Sequence, residues 1–321
     1  MRAVWLKEFG GPQALVAGQA PEPVPGPGQA LVDVAFAGVT FVETQIRAGA
    51  EGPFRLEPPV ILGNGVGGVI TAVGPGADPA LVGRKVVTST GGSGGYAERV
   101  AVDAAGVFPV PPGLELDAAT ALLADGRTAV MLMRAVAPRP GERVLVEAAA
   151  GGVGTLLVQL ARAAGARVVA AAGGGRKGAL ARELGAEVAV DYRDPSWTQQ
   201  VRAAVGGVDV VFDGVGGAVG RAAFDLLAAT GGQGARMLRY GRAGGEWTAV
   251  PEQTARERGI ALLSLNPTPE EIRLSTEHAL AEAAAGRLRP VIGQRFPLER
   301  AADAHAALES RATVGKTLLE I

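Results

Sequence analysis

Hydrophobic and polar positions change rhythm along this chain near residue 116. Before that point, short runs rich in β-branched residues are separated by Pro and Gly. Residues 30–37, 66–73, 85–89 and 96–102 read as strands, and 21–28 (PEPVPGPG) as a stiff extended connection that cannot enter a sheet interior. After it, apolar runs of strand length alternate with helix-spaced segments. Asp117 is expected to cap a helix running to Ala124, Gly126 to interrupt it, and a second helical stretch to cover 128–136. Strands are predicted at 143–147, 167–172, 188–191, 208–212 and 235–240, with helices starting near Gly152, Arg176, Pro195 and Ala218. An uncharged strand at 260–265 (IALLSL) follows, then a helix over 269–285, a strand over 291–296, a helix over 298–310 and a strand over 316–320. Strands alternating with helices in this way call for a parallel sheet covered on both faces, an α/β fold.

Within that region, residues 148–154 read AAAGGVG. They follow an apolar run and open a helix pattern in which Val153, Leu156, Leu157, Leu160 and Ala164 recur on one face. Strand, glycine turn and amphipathic helix is the order needed to hold a dinucleotide, with the helix N-terminus offering N–H groups to phosphates. Ala150, Gly151, Gly152 and Val153 would carry the backbone past the pyrophosphate, and Gly154 would let the helix sit close. Ala149 stands where the GxGxxG fingerprint has its first glycine, so the match is imperfect, and a tight strand-to-helix turn can use glycine for structure alone.

Composition narrows the chemistry. The chain has 321 residues, nearly half of them hydrophobic, which suits two domains with sizeable cores. A formal net charge of −1 without a basic cluster argues against nucleic acid or an anionic membrane as partner. There is no cysteine, so no disulfide and no thiolate ligand or nucleophile, and the two histidines, His278 and His305, exclude a His-rich metal site. Both histidines fall on amphipathic helix patterns far from the motifs and read as structural or solvated. The N-terminus lacks the apolar core of a signal peptide, and the apolar stretch 118–136 contains Asp125, Arg127 and Arg134, so a soluble cytoplasmic protein is expected.

Taken in order, the segments PVPGPG (23–28), GVTFVETQIRAG (38–49), PPVILGNGVGGVITAVGPGA (58–77), GGYAERVAV (94–102), AAAGGVGTLLVQLA (148–161) and ESRATVGKTLLEI (309–321) resemble the medium-chain dehydrogenase/reductase superfamily. The nearest branch is the zinc-free, zeta-crystallin-like NADPH:quinone oxidoreductases. The resemblance implies a Rossmann doubly wound parallel sheet inserted into a GroES-like β-rich domain, with the active site in the cleft. Shifts in composition near 120 and 266 suit a division into 1–122, 123–266 and 267–321. The zinc alcohol dehydrogenases of the superfamily use cysteines that this chain lacks.

A site choosing NAD usually carries an acid at the end of the second strand. Here that region reads AAAGGG (170–175), followed by Arg176 and Lys177. The missing acid removes repulsion of a 2′-phosphate, and two cations can pair with it; the alternative is a pair of solvated residues on a helix's first turn. The resemblance points the same way, to NADPH as cofactor, with Gly173, Lys177 and Tyr192 around the phosphate; Gly174 lies in the same turn. It further implies Thr128 near the nicotinamide ribose, Gly214 and Val215 after one strand, Tyr240 and Gly241 after the next, and Gly315 and Lys316 near the C-terminus.

Thr40-Phe-Val-Glu43-Thr44 with Arg47 matches the family pattern NFxDxxxR that lines the cleft, Thr40 replacing the asparagine and Glu43 the aspartate. Glu43 and Arg47, at i and i+4, could instead pair on a helix surface. Many relatives continue RxGxY, with a proton-donating tyrosine; here Glu51 takes that position, and Gly65, next to Asn64, stands where relatives often have Glu. Losing the tyrosine favours a quinone or enone acceptor over an enoyl thioester, whose reduction needs a proton at carbon, although water or Tyr240 could supply it. The catalytic candidates are thus Thr40, Glu43, Arg47, Glu51 and Tyr240. The readings left open are an enoyl thioester reductase in biosynthesis and a non-catalytic NADPH-binding protein. A homodimer pairing through the uncharged edge at 260–265 is expected.

Overall fold

The computed structural model describes residues 1–50, 56–228 and 234–321; Glu51 lies outside them. The chain divides into two compact units, Met1–Asp125 with Ala279–Ile321, and Gly126–His278.

The first unit opens with β1 (Arg2–Leu6), β2 (Leu15–Gln19) and β3 (Gln29–Val39), then α1 (Phe41–Arg47). β4 (Val60–Ile61), β5 (Gly65–Val73), β6 (Lys85–Ser89), β7 (Arg99–Asp103) and β8 (Val107–Pro109) follow. The chain then enters α2 (Leu116–Val136). The second unit contributes β9 (Arg143–Glu147), α3 (Gly152–Ala163), β10 (Arg167–Ala172), α4 (Gly175–Glu183), β11 (Val188–Asp191) and α5 (Trp197–Val205). It continues with β12 (Val210–Asp213), α6 (Gly217–Asp225), β13 (Ala235–Arg239), α7 (Glu252–Glu257) and β14 (Ile260–Leu263). α8 (Pro269–Ala284), β15 (Ile292–Pro297), α9 (Ala301–Glu309) and β16 (Lys316–Glu320) complete the chain.

In the β-rich unit, the main sheet runs β15-β16-β3-β5-β6-β8, with β7 also pairing β3. C-terminal β16 lies antiparallel to β3, Leu319 opposite Ala37, so the two ends of the chain build one sheet. From Gln29 to Val34, β3 alternates half-buried with buried residues, the period-two pattern of a strand, and its last three residues are all buried. Val32, Val34, Val66, Ile70 and Val86 gather in its core with Leu298 and Ala301 of the C-terminal segment.

The second unit holds a sheet ordered β11-β10-β9-β12-β13-β14. Every pairing is parallel. All five residues of β9 are buried, as expected of a central strand covered on both faces. The order is that of two mononucleotide-binding halves meeting between β9 and β12. β14 forms one edge, with Ala261 exposed.

Three expectations need correcting. The helix is not interrupted at Gly126: α2 runs unbroken over Leu116–Val136. An interior glycine costs only about 1 kcal/mol relative to alanine. Buried residues on both sides, Leu122 and Leu123 before it, Ala129 and Val130 after, outweigh that cost. Asp117 lies in the first turn, inside the helix, where its carboxylate bonds Ala118 N and Arg295. The strand expected over 96–102 is shorter and later, at Arg99–Asp103. Tyr96 turns into the core and Ala97 makes an isolated bridge to Ala3.

Candidate active site

The AAAGGVG segment forms the turn between β9 and α3. Ala148 takes φ 47° and Gly151 precedes the helix in an extended conformation without a side-chain cap, so the first N–H groups of α3 remain uncapped by side chains. Ala150 is buried, while Gly151, Gly152 and Val153 are half-buried. A Cβ on Gly154 would lie 2.9 Å from Cα of Ala149, inside contact distance. Glycine there is what lets α3 close onto the turn.

At the same end of the sheet stand two acids whose partnership the sequence did not reveal. Glu147 ends β9 and Asp213 ends β12, both 0% exposed. Glu147 Oε2 accepts from Val215 N at 3.1 Å, and Asp213 accepts from Gly216 N at 2.8 Å and from the Thr248 hydroxyl. Burial first, then the neighbouring Asp213, push the Glu147 carboxyl well above the usual carboxylate range, which favours the protonated form. The pair fixes Gly214 and Val215, two of the predicted cofactor residues. Tyr240, after β13, lays its phenol over Gly214, where a Cβ would meet Cζ at 2.7 Å. Its hydroxyl reaches the Glu147 carbonyl at 3.5 Å. Gly241 N donates to the Asp213 carbonyl at 3.2 Å. Ionisable residues ending otherwise apolar strands were the available signal for this pair.

Beside it lies the β10–α4 turn. Gly173 and Gly174 lead into α4, with Arg176 exposed and Lys177 half-buried on its first turn. Tyr192 Oη would be 3.3 Å from a Cβ on Gly173. The structure thus gathers Gly173, Gly174, Arg176, Lys177 and Tyr192 at one turn. Thr128 is half-buried within α2.

The β-rich unit holds the remaining candidates. Thr40 caps α1 through a reciprocal capping box: Glu43 N donates to Thr40 Oγ1 at 3.4 Å, and Thr40 N to Glu43 Oε2 at 2.6 Å. Thr-x-x-Glu is a sequence signature for that geometry. Thr40 Oγ1 also donates to Glu43 Oε2 at 2.9 Å, and Asn64 N donates to Oε1 at 2.8 Å. Burial raises the Glu43 pKa against these hydrogen bonds and the charge of Lys316, which lower it. Lys316 is itself buried, its ammonium 3.4 Å from Asp125. Gly315 takes φ 57° immediately before it. Gly65 leaves room for Leu123, which would be 3.1 Å from a Cβ there.

Arg47 does not pair with Glu43. It is 1% exposed and bonds the Gly10 and Thr44 carbonyls and the Glu309 carboxylate, tying α1 to α9. His305 is not remote from the motifs. It is 0% exposed, and its Nε2 lies 3.0 Å from Tyr96 Oη, which donates to Glu43 Oε2 at 3.3 Å. Burial, then the charge of Arg47, hold the imidazole down at about 3, so it is neutral. His278 is exposed. Thr40, Glu43, Tyr96 and His305 form one bonded chain, and only its first two members were legible beforehand.

A parallel sheet in this order, glycine turns at its carboxyl ends and a β-rich unit built from both chain termini define a dinucleotide-dependent oxidoreductase of the medium-chain type. Comparison with known proteins agrees. Residues 26–112 match the alcohol dehydrogenase GroES-like domain, and 184–319 match a family described as zinc-binding dehydrogenase. The chain is 32% identical to a 2-haloacrylate reductase of a Burkholderia species, across 99% of this chain and 98% of that protein. It is 32% identical to the Homo sapiens quinone oxidoreductase, across 99% and 97%. The Escherichia coli quinone oxidoreductase solved in complex with NADPH superposes with a TM-score of 0.90 at 28% identity, covering 100% of both chains. The chain belongs to the zeta-crystallin-like quinone oxidoreductase family. The sequence has no cysteine to supply a thiolate ligand, and among the described residues no group of three or more His, Cys, Asp or Glu side chains is placed to hold a metal.

Proposed function

We propose that this protein is an NADPH-dependent reductase whose acceptor is a quinone or an α,β-unsaturated carbonyl compound. The observation that carries this reading is the full-length relationship to quinone oxidoreductases and to a reductase of an unsaturated acid. The uncapped glycine turns of the second unit support it. The bound nicotinamide would supply the hydride. Ala150, Gly151, Gly152 and Val153 receive the pyrophosphate on backbone N–H groups at the start of α3. Gly173, Gly174, Arg176, Lys177 and Tyr192 take the 2′-phosphate. Gly214, Val215, Tyr240 and Gly241, held by the Glu147–Asp213 pair, receive the nicotinamide half, with Thr128, Gly315 and Lys316 as further contacts.

In the β-rich unit, Thr40 is the group that meets the acceptor oxygen: its hydroxyl, which donates to Glu43 Oε2 at 2.9 Å, would turn to donate to that oxygen. Glu43 orients its hydroxyl, and the Lys316 ammonium favours negative charge developing nearby. Arg47 maintains the helix that presents both. Relatedness to a 2-haloacrylate reductase favours activated alkenes among the acceptors. We also infer a zinc-independent, cytoplasmic homodimer, formed through the edge strand β14.

The test is NADPH oxidation across a panel of quinones, enones and enoyl thioesters, with and without a chelator. Quinones or enones are expected to turn over fastest and the chelator to change nothing. Turnover confined to enoyl thioesters, or activity lost to chelation and restored by zinc, would refute the corresponding part of this reading.

A further inference from the structure

Arg193 belongs to no motif, yet it occupies the turn where a 2′-phosphate is expected. It lies just beyond Asp191, the last residue of β11, and Asp191 stands opposite Ala172, the last residue of β10. The turns that follow the two strands therefore share one end of the sheet. One carboxylate joins them. Asp191 Oδ1 accepts from Arg193 Nε at 3.0 Å and from Arg193 N at 3.0 Å, and Oδ2 accepts from Nη2 at 2.7 Å. The Gly174 backbone N–H is among the groups that lower the pKa of the same carboxylate.

The guanidinium so held stands over Gly174. A Cβ on Gly174 would lie 2.7 Å from Nη2, and the residue takes φ 100°, a backbone conformation that favours glycine. Among the described residues, no hydrogen bond uses Nη1. α4 starts alongside with Gly174 as its N-cap and no side chain capping it, and no acid occupies its first turn.

A bidentate carboxylate turns a long, flexible cation into an oriented planar donor. It also neutralises the acid that would otherwise repel a phosphate. Hydrogen bonds from Arg193 hold the Asp191 carboxyl down at about 2, so the ion pair persists across the physiological range. Next to an uncapped helix N-terminus and a phenol, these are the donors a dianionic phosphate monoester needs.

We infer that Arg193, clamped by Asp191, is the residue that makes this site select a phosphorylated ribose over a free 2′-hydroxyl, ahead of Arg176 and Lys177. The inference rests on the NADPH reading above.

Dissociation constants for NADPH and NADH, measured by fluorescence titration of the full chain, test it. Arg193→Ala is expected to weaken NADPH by about thirtyfold, the loss of a charge-assisted contact, and NADH by less than about twofold. Arg193→Lys keeps the charge but not the fork and is expected to recover only part of the difference. The combined Arg176→Ala and Lys177→Ala variant is expected to lose less than Arg193→Ala. Equal weakening of both coenzymes by Arg193→Ala would make the residue a support of the turn and overturn the inference. So would undiminished selectivity in Arg193→Ala, or a larger loss in the double variant. Equal affinity of the unaltered protein for the two coenzymes would instead sink the NADPH reading, and this inference with it.

Discussion

The amino and carboxyl ends of the parallel sheet handle charge in opposite ways. At the amino end, Arg143 grips Asp209 with two hydrogen bonds of 2.9 and 3.0 Å and donates to the carbonyls of Val205 and Ala228. Arg236 grips Glu142 in the same bidentate way at 2.9 and 2.7 Å, and its Nε takes the Val136 carbonyl that ends α2. Each cation meets an acid, and the remaining donors meet carbonyls. At the carboxyl end, Glu147 and Asp213 place acid beside acid and bond backbone N–H groups and one hydroxyl. One end closes its electrostatics and holds the sheet together. The other keeps glycine turns and helix N-termini turned outward, at a cost in desolvated carboxyl groups, which is the arrangement a ligand-binding end requires.

That contrast can be broken most forcefully at Arg143. Arg143→Ala leaves Asp209 buried without its cation and is expected to lower stability by about 3–5 kcal/mol. Urea unfolding measures this, and the folded fraction should bind NADPH with unchanged affinity. A variant that keeps its stability but loses the coenzyme would dissolve the division of labour between the two ends.

Gly154→Ala probes the other end. Its new methyl meets the backbone of Ala148 and Ala149. Forcing α3 away from the turn is expected to cost about 1–3 kcal/mol, appearing mainly as weaker NADPH binding. Calorimetric titration beside a melting curve separates the two effects; loss of stability alone would mean that the turn does not present the phosphate site.

The smallest effect concerns Glu147. Its pKa is raised in the folded state by burial and Asp213, so the native protein retains a proton that the unfolded chain releases near the ordinary glutamate value of about 4.3. The native state binds more protons in the window between the unfolded and folded pKa values, so stability falls as pH rises through it. Glu147→Gln keeps an acceptor for Val215 N and removes the titration. The variant should gain on the unaltered protein by up to about 1.4 kcal/mol per pH unit within that window. A difference between the two proteins that stays constant with pH would show that Glu147 is ionised in the folded state and that the carboxyl end holds its acids without that cost.

Much of this was readable in advance for identifiable reasons. β9, β10 and β11 lie where the sequence placed them: β9 is buried throughout and β10 beyond Arg167, so both carry mostly apolar residues, and half-buried β11 keeps a short apolar run. The β9–α3 turn was legible because glycine, strand and helix signals lie within a dozen residues. Gly126 misled because a local propensity was read without the packing that overrides it. β1, β2 and α7 left too weak a local pattern to be predicted.

By itself, the sequence determined the alternation of strands and helices after residue 143, the exclusion of thiolate chemistry and the glycine turn between β9 and α3. These depend on neighbouring residues or on composition. Tertiary structure alone decided which charged and polar side chains meet. Tyr96 finds His305 across 209 residues, Arg47 finds Glu309 across 262, and Arg143 finds Asp209 across 66. Periodicity records which face of an element is buried, but not which distant partner will be folded against it. For a buried charge that partner decides the outcome: the same desolvation that Asp209 relieves for Arg143 drives Glu147, beside Asp213, to keep its proton.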